Sequence, residues 1–243
     1  MSKKNRIRLM AYTPLQSGGI YETTEPQAHY LKDVMRLKVG DDVFLFDGIN
    51  GEFSANIAQI NKKSVILNIN QKVADFQKSP DVWLLFAPLK KDNTDIVIQK
   101  SVELGVSKII PVQTEYTSNA GIKLERMRAQ VIEAAEQSRR TDLPEILSPI
   151  TLEKLLEKWD KKRTLVYLNE TGAGQSFIDA SKKMSAPVAF LVGPEGGFSL
   201  EEFEMLKSLP YTLSLALGPR ILRAETACLA ALSCWQAFCG DWK

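Results

Sequence analysis

Two short stretches of this 243-residue chain have the residue types that hold a small ligand: Gly193-Pro194-Glu195-Gly196-Gly197 and Gly218-Pro219-Arg220-Ile221-Leu222-Arg223. Glycines let the backbone approach a bound molecule closely. In the second stretch Pro219 stiffens the loop, its backbone groups can read the edge of a purine, and Ile221 and Leu222 can cover the purine's face. Arg220 or Arg223 can meet an anion, and the plain alternative is a surface ion pair with Glu195 or Glu225. For the first stretch the plain alternative is a glycine-rich turn with a structural job only. The spacing is neither G-x-G-x-x-G nor a G-K-[ST] phosphate loop, which argues against nicotinamide dehydrogenases and P-loop enzymes. His29 is the single histidine, so Ser-His-Asp and Cys-His mechanisms have little to draw on. Cys228, Cys234 and Cys239 lack C-x-x-C spacing and read as small apolar helix residues rather than metal ligands, so no metal is expected.

Each stretch needs a strand before it and a helix after it. Val188–Val192 and Thr212–Leu217 are apolar enough to be buried strands, and Ser199 with Glu202 forms a capping-box pattern at a helix start. Ligands of α/β folds sit where such strands end. The preceding sequence alternates in the same way: a strand at Val82–Ala87, a loop in which Asp92 or Asn93 caps a helix at Thr94–Leu104, and a strand at Lys108–Val112. A helix follows at Ile122–Arg140, with Leu124, Met127, Val131, Ala134 and Ala135 as its buried stripe. Then come a helix at Leu152–Trp159, a strand at Arg163–Leu168, a helix at Phe177–Met184 and an apolar helix at Thr226–Phe238.

Upstream of a polar linker at Val73–Pro80 the pattern changes. Short strands are expected at Val43–Phe46, Glu52–Ile60 and Ser64–Asn70, and a helix at His29–Leu37 stopped by Gly40. That pattern suits a small RNA-binding β-barrel, or equally a structural or interaction module. Two domains are therefore expected, 1–76 and 77–243. Net charge is +2, with 10 basic against 8 acidic residues in 1–76 and 21 against 21 in the remainder, so any nucleic-acid partner must be held by local clusters. No apolar run approaches membrane-spanning length, and the basic N-terminus has no apolar segment behind it. A cytoplasmic location is expected.

GPEGGF, LGPRILRAETA, and AAEQSRR…LP with upstream KKD…ELGV resemble the RsmE-type bacterial 16S rRNA uridine-N3 methyltransferases of the SPOUT class. His29 with Leu37-Lys38-Val39-Gly40-Asp41, and Phe46-Asp47-Gly48, resemble that family's N-terminal part, so the likeness covers nearly the whole chain. Two departures stand out: Arg139 where the family usually reads EQSGR, and Ala224 where it reads RTETA. The resemblance implies a PUA-like RNA-binding β-barrel followed by an α/β methyltransferase domain with a trefoil knot, a homodimer, and S-adenosylmethionine (SAM) as cofactor. It implies that Leu168, Glu170, Gly193, Pro194, Glu195, Gly196, Gly197, Leu215, Leu217, Gly218, Ile221, Leu222 and Arg223 surround SAM. The apolar C-terminal helix, with Trp235 and Phe238 to hide, is the expected dimer surface.

Methyl transfer to uridine N3 requires loss of the imide proton, and negative charge then spreads onto O2 and O4. Arg223 is the expected charge-stabilising group, with Glu195 orienting it. Arg6, Arg8, Arg36, Lys90, Lys91, Arg139 and Arg140 are the expected contacts to 16S rRNA or the small ribosomal subunit. A SPOUT enzyme with another RNA target, and an RNA-binding assembly protein without turnover, are the other readings.

Overall fold

The computed structural model describes residues 7–118 and 123–242, with the side chain of Lys91 left out. The chain divides into two compact units, the residues up to Lys78 with Ala135–Leu143, and Ser79–Ala134 with Pro144 onward.

The first unit is built on a five-stranded sheet. Its strands are β1 (Arg8–Met10), β2 (Ile20–Glu22), β3 (Asp42–Phe46), β4 (Glu52–Ile60) and β5 (Val65–Ala74), in the order β1-β3-β4-β5-β2. β1 and β3 run parallel and the other pairs antiparallel. Burial alternates along β4 as the pleat requires, and Leu9, Leu31, Val43, Leu45, Ile57 and Leu67 meet in one core. The helix expected at His29–Leu37 starts earlier and ends sooner. α1 (Glu25–His29) opens with a capping box between Thr24 and Gln27, Tyr30–Val34 widens into a π-turn that buries Leu31, and Arg36 takes φ 55°. The capping box outweighs the apolar periodicity that starts at His29.

Arg8 binds this unit together. Its Nη1 donates to the carbonyls of Ala135 and Glu136 and its Nη2 to that of Arg140, each at 2.9 Å. Glu52 Oε2 lies 3.3 Å from Nη2, and the guanidinium sits 4.5 Å from the Phe46 ring centroid. Arg8 is 5% exposed, so the expectation that it contacts RNA is corrected: no phosphate can reach a guanidinium so enclosed.

The second unit carries a seven-stranded parallel sheet. β6 (Val82–Phe86), β7 (Lys108–Gln113), β8 (Glu145–Ile146), β10 (Thr164–Leu168), β11 (Val188–Val192) and β12 (Thr212–Leu215) lie in the order β12-β10-β11-β6-β7-β8, and β9 (Ile150–Thr151) pairs with β7. All five residues of β11 are buried, the signature of a strand covered on both faces. The helices are α2 (Lys91–Glu103), α3 (Leu124–Ser138), α4 (Leu152–Glu157), α5 (Phe177–Ser181), α6 (Leu200–Ser208) and α7 (Ala224–Phe238). Neither Asp92 nor Asn93 caps α2. Lys90 is its N-cap, without a side-chain bond, and both residues lie in the first turn, where the Asp92 charge suits the helix dipole. Thr94 secures the turn instead, its hydroxyl accepting from Leu89 N–H at 3.0 Å and donating to Leu89 C=O at 2.9 Å.

α7 packs on α2 and β11. Trp235 is 1% exposed and hidden within the chain, so only Phe238, half exposed beside Phe177, is left of the argument for a dimer surface. Cys228 is fully buried, and desolvation, with Glu225 nearby, pushes its thiol far above the usual range, as suits a packing residue. Among the described residues no helix is long and apolar enough to cross a membrane.

Candidate functional site

A cavity of about 240 Å³ opens at the C-terminal ends of β10, β11 and β12, three neighbouring strands. Leu168, Asn169 and Glu170 line it from β10, Val192, Gly193, Pro194, Glu195 and Gly197 from β11, and Leu215, Leu217, Gly218 and Arg220 to Arg223 from β12. Ala224 and Ala227 close it from the first turns of α7. Every residue expected around the cofactor lines this cavity except Gly196. The lining adds Asn169, Val192, Arg220, Ala224 and Ala227.

Local chemistry explains the shape of each wall. Gly197 has φ 71°, and a Cβ there would run into Glu170 Oε1, so the loop after β11 passes directly under the Glu170 carboxylate. Ser199 caps α6, with Glu202 reciprocating in the capping box read from the sequence. Gly174 lies so close to β12 that a Cβ would sit 2.6 Å from Ala216 N, and Gln175 bridges Ser214 O and Ala216 N at 2.9 Å each. The segment after β10 is thereby laid along β12.

Asn169 ties these walls together. It is 6% exposed, its Oδ1 accepts from Thr171 N at 3.0 Å and from Thr171 Oγ1 at 2.7 Å, and its Nδ2 donates to Ser214 Oγ at 3.1 Å. Its main-chain N–H donates to Leu215 O at 2.8 Å. The turn that presents Glu170 is thus fixed to β12. The only local sequence sign was an Asn two residues before Thr171 and three before Gly172, the pattern of an Asx turn.

Glu170, Glu195, Arg220 and Arg223 are exposed, and none of the four side chains makes an ion pair or hydrogen bond among the described residues. The surface ion pair weighed for Arg220 and Arg223 does not form. Glu225 turns Oε2 inward, where it meets no donor among the described residues. Two free guanidiniums and two free carboxylates therefore face one concavity, an arrangement whose charges await a ligand.

The residues expected to hold RNA differ in exposure and partners. Arg6 lies outside the described residues. Arg36 and Arg139 are exposed, both at positive φ (55° and 62°), and Lys90 is exposed at the start of α2. Lys91 opens α2. Arg140 is held bidentate by Asp142 at 3.0 Å and 3.0 Å.

Residues 77–236 match the model of an RNA methyltransferase domain, and residues 23–70 that of an RNA methyltransferase PUA domain. The ribosomal RNA small subunit methyltransferase E of Rickettsia conorii is 34% identical over 233 residues, covering 95% of this chain and 94% of the relative. The chain belongs to the ribosomal RNA small subunit methyltransferase E family. The Buchnera aphidicola (Schizaphis graminum) member is 32% identical over 98% of this chain and 99% of its own. The solved structure of the Neisseria gonorrhoeae member, bound to S-adenosyl methionine, has a TM-score of 0.89 at 29% identity and covers 98% of this chain and 100% of that one. A Legionella pneumophila protein in complex with the bound cofactor SAM gives 0.88 at 33% identity, over 98% and 99%. The methyltransferase E fold expected from sequence is the one found, a PUA-like sheet at the N-terminus and a SPOUT-like parallel sheet at the C-terminus.

Proposed function

We propose that this chain transfers the methyl group of SAM to N3 of a specific uridine in 16S rRNA, in the decoding region of the small subunit, as a step of ribosome maturation. The observation that carries the reading is the cavity at the ends of β10, β11 and β12, where Gly193 and Gly197 allow close backbone approach and four charged groups are unpaired among the described residues. The residues fit SAM. Backbone groups of Gly193 to Gly197 and Leu217 to Leu222 would hold its adenosine part, Ile221 and Leu222 would cover the base, and the Glu170 carboxylate at the cavity could accept from its hydroxyl or ammonium groups. Bound SAM supplies an electrophilic methyl on a sulfonium, a leaving group that asks for no metal to activate it.

The protein's share is orientation and charge. The target base must be unstacked to present N3. The imide proton would pass to a carboxylate, water or phosphate, and Arg223 at the cavity would stabilise the charge that then develops on O2 and O4. Glu195, not paired with Arg223 among the described residues, would orient it once the base is bound. In this reading residues 1–76 form the RNA-holding domain and 77–243 the methyltransferase domain, with Arg36, Lys90, Lys91 and Arg139 on phosphates. The chain works in the cytoplasm, as a homodimer, with its C-terminal segments in the family's trefoil knot. The half-exposed Phe238 supports a dimer surface near the end of α7, which light scattering tests.

Calorimetry with SAM, followed by mass mapping of 16S rRNA from cells with and without the gene, tests the whole. A SAM complex and one N3-methyluridine that disappears with the gene are expected. A methyl on another nucleotide would point to a different RNA target, and absence of SAM binding to an assembly protein without turnover.

A further inference from the structure

The turn after β7, Thr114–Thr117, lies outside the cavity lining, yet it is firmly held. Thr117 Oγ1 accepts from Thr114 N–H at 2.8 Å, and Thr117 N–H donates to Thr114 O at 3.1 Å. Glu115 N–H donates to Glu202 Oε1 at 2.9 Å, while Glu202 Oε2 accepts from Ser199 N–H at 3.0 Å. Glu202 is 5% exposed. One buried carboxylate therefore fixes two things at once: the start of α6, where the Gly193–Gly197 loop ends, and the turn that carries Tyr116.

Tyr116 lies against the outer side of that loop. A Cβ on Gly196 would be 3.2 Å from Tyr116 Cβ and 3.6 Å from two of its ring atoms, so a glycine at 196 is what lets the tyrosine come so near. This accounts for the one expected cofactor residue that does not line the cavity. Yet Tyr116 is 51% exposed, and its hydroxyl takes no partner among the described residues. A side chain that served only to cover Gly196 would need no aromatic ring on a residue half exposed to water. The residues on either side of Gly196 both line the cavity, so the ring stands one residue from its wall.

We propose that Tyr116 is a stacking platform for a base of the RNA substrate. The inference rests on the RNA methyltransferase reading and adds to it a positioning residue outside the cavity. Taking a uridine out of its stack leaves the bases beside it without a partner, and an aromatic face held at fixed height beside the pocket restores one. Stacking of this kind tolerates any base, because each has a π-face.

The test compares wild type with Tyr116→Phe and Tyr116→Leu on small ribosomal subunits from cells lacking the gene, with SAM affinity measured by calorimetry. Tyr116→Leu should raise KM for the subunits roughly 5- to 150-fold, the range of one lost base stack. Its SAM affinity should be unchanged, and Tyr116→Phe should stay within about twofold of wild type in both measurements. Tyr116→Leu at the wild-type KM would overturn the proposal. So would equal losses in Phe and Leu, which would assign the effect to the hydroxyl, and so would a parallel fall in SAM affinity, which would assign it to loop packing. Subunit binding is also titrated directly. Wild type without methyl transfer would count against the methyltransferase reading, while the ranking of the three proteins in the titration still decides Tyr116.

Discussion

Arg8→Ala separates a structural arginine from an RNA-binding one. Three carbonyls at the end of α3 and just beyond it take their donors from this one guanidinium, at 2.9 Å each. Carbonyls at a helix C-terminus have no partner within the helix, so Arg8 acts as a C-terminal cap supplied by a distant strand. It also faces the Glu52 carboxylate, which is 4% exposed. Alanine would remove the Arg8 side of that buried pair, and breaking a buried pair from one side costs about 3–5 kcal/mol. For a chain of this size roughly 2–4 °C of Tm follows each kcal/mol, so the melting temperature of the full chain should fall by about 6–20 °C. The assay is differential scanning calorimetry on the full chain, with SAM affinity measured well below the transition as a control that should not move. Arg8→Met with Glu52→Leu should lose less than Arg8→Ala alone, because both charges of the buried pair are then replaced by apolar groups together. A Tm within a degree of wild type for Arg8→Ala, together with weakened RNA binding, would refute the reasoning and return Arg8 to the phosphate contacts.

Arg139→Gly should stabilise the protein by about 1 kcal/mol, seen as a Tm rise of a few degrees, because Arg139 holds φ 62° just after α3, where a Cβ is strained. Gly197→Ala should cost about 1–2 kcal/mol for its left-handed backbone alone. Because its Cβ also meets Glu170, a Glu170→Ala/Gly197→Ala double variant should be more stable by thermal melting than the two single losses predict, and strict additivity would argue against the contact. Asp47 gives a pH signature. Burial raises its pKa, but the N–H groups of Asn50, Leu15 and Ile49 and the Asn50 amide outweigh that, and the net pKa lies below the ordinary 3.8. The stability it contributes is present above pH 3.8 and is lost as pH falls through its lower folded value, so Asp47→Asn should be less stable at neutral pH and show a shallower acid limb in denaturant titrations.

The strand-and-loop framework was legible because it is written locally. β10, β11 and β12 are short apolar runs bounded by Gly, Pro or charge, and the Ser199–Glu202 box needs only four consecutive residues to be recognised. Gly193 and Gly197 marked the cavity wall for the same reason: close approach of a backbone demands glycine whatever the partner. Arg139 shows the reach of this kind of reading. The expected family pattern has glycine there, and the structure puts that position in the left-handed region where glycine is at home.

What stayed hidden depends on partners far apart in the chain. Arg8 looks like any basic residue of a basic terminus, and its partners lie 127, 128 and 132 residues away. Glu202 announced one job, the helix cap, but its other oxygen serves Glu115 N–H, 87 residues upstream. Trp235 looked too large to bury without a partner chain, yet α2 and β11 supply the surface that covers α7. For Arg8 and Trp235 the residue type was read correctly and the wrong surroundings were assumed for it, while Glu202 had a second partner that its capping role did not announce. A charge or a large ring carries no sequence mark of whether water or protein will surround it, and that is settled only when the sheet brings distant segments together. Tyr116 illustrates the converse: its turn is pinned by a long-range bond, Gly196 makes room for it, and the residue is nevertheless half exposed. Contact with Gly196 through Cβ, Cγ and Cδ2 leaves the residue half exposed, one residue from the wall of the cavity, and a nucleobase is the flat partner that an exposed aromatic ring there would match.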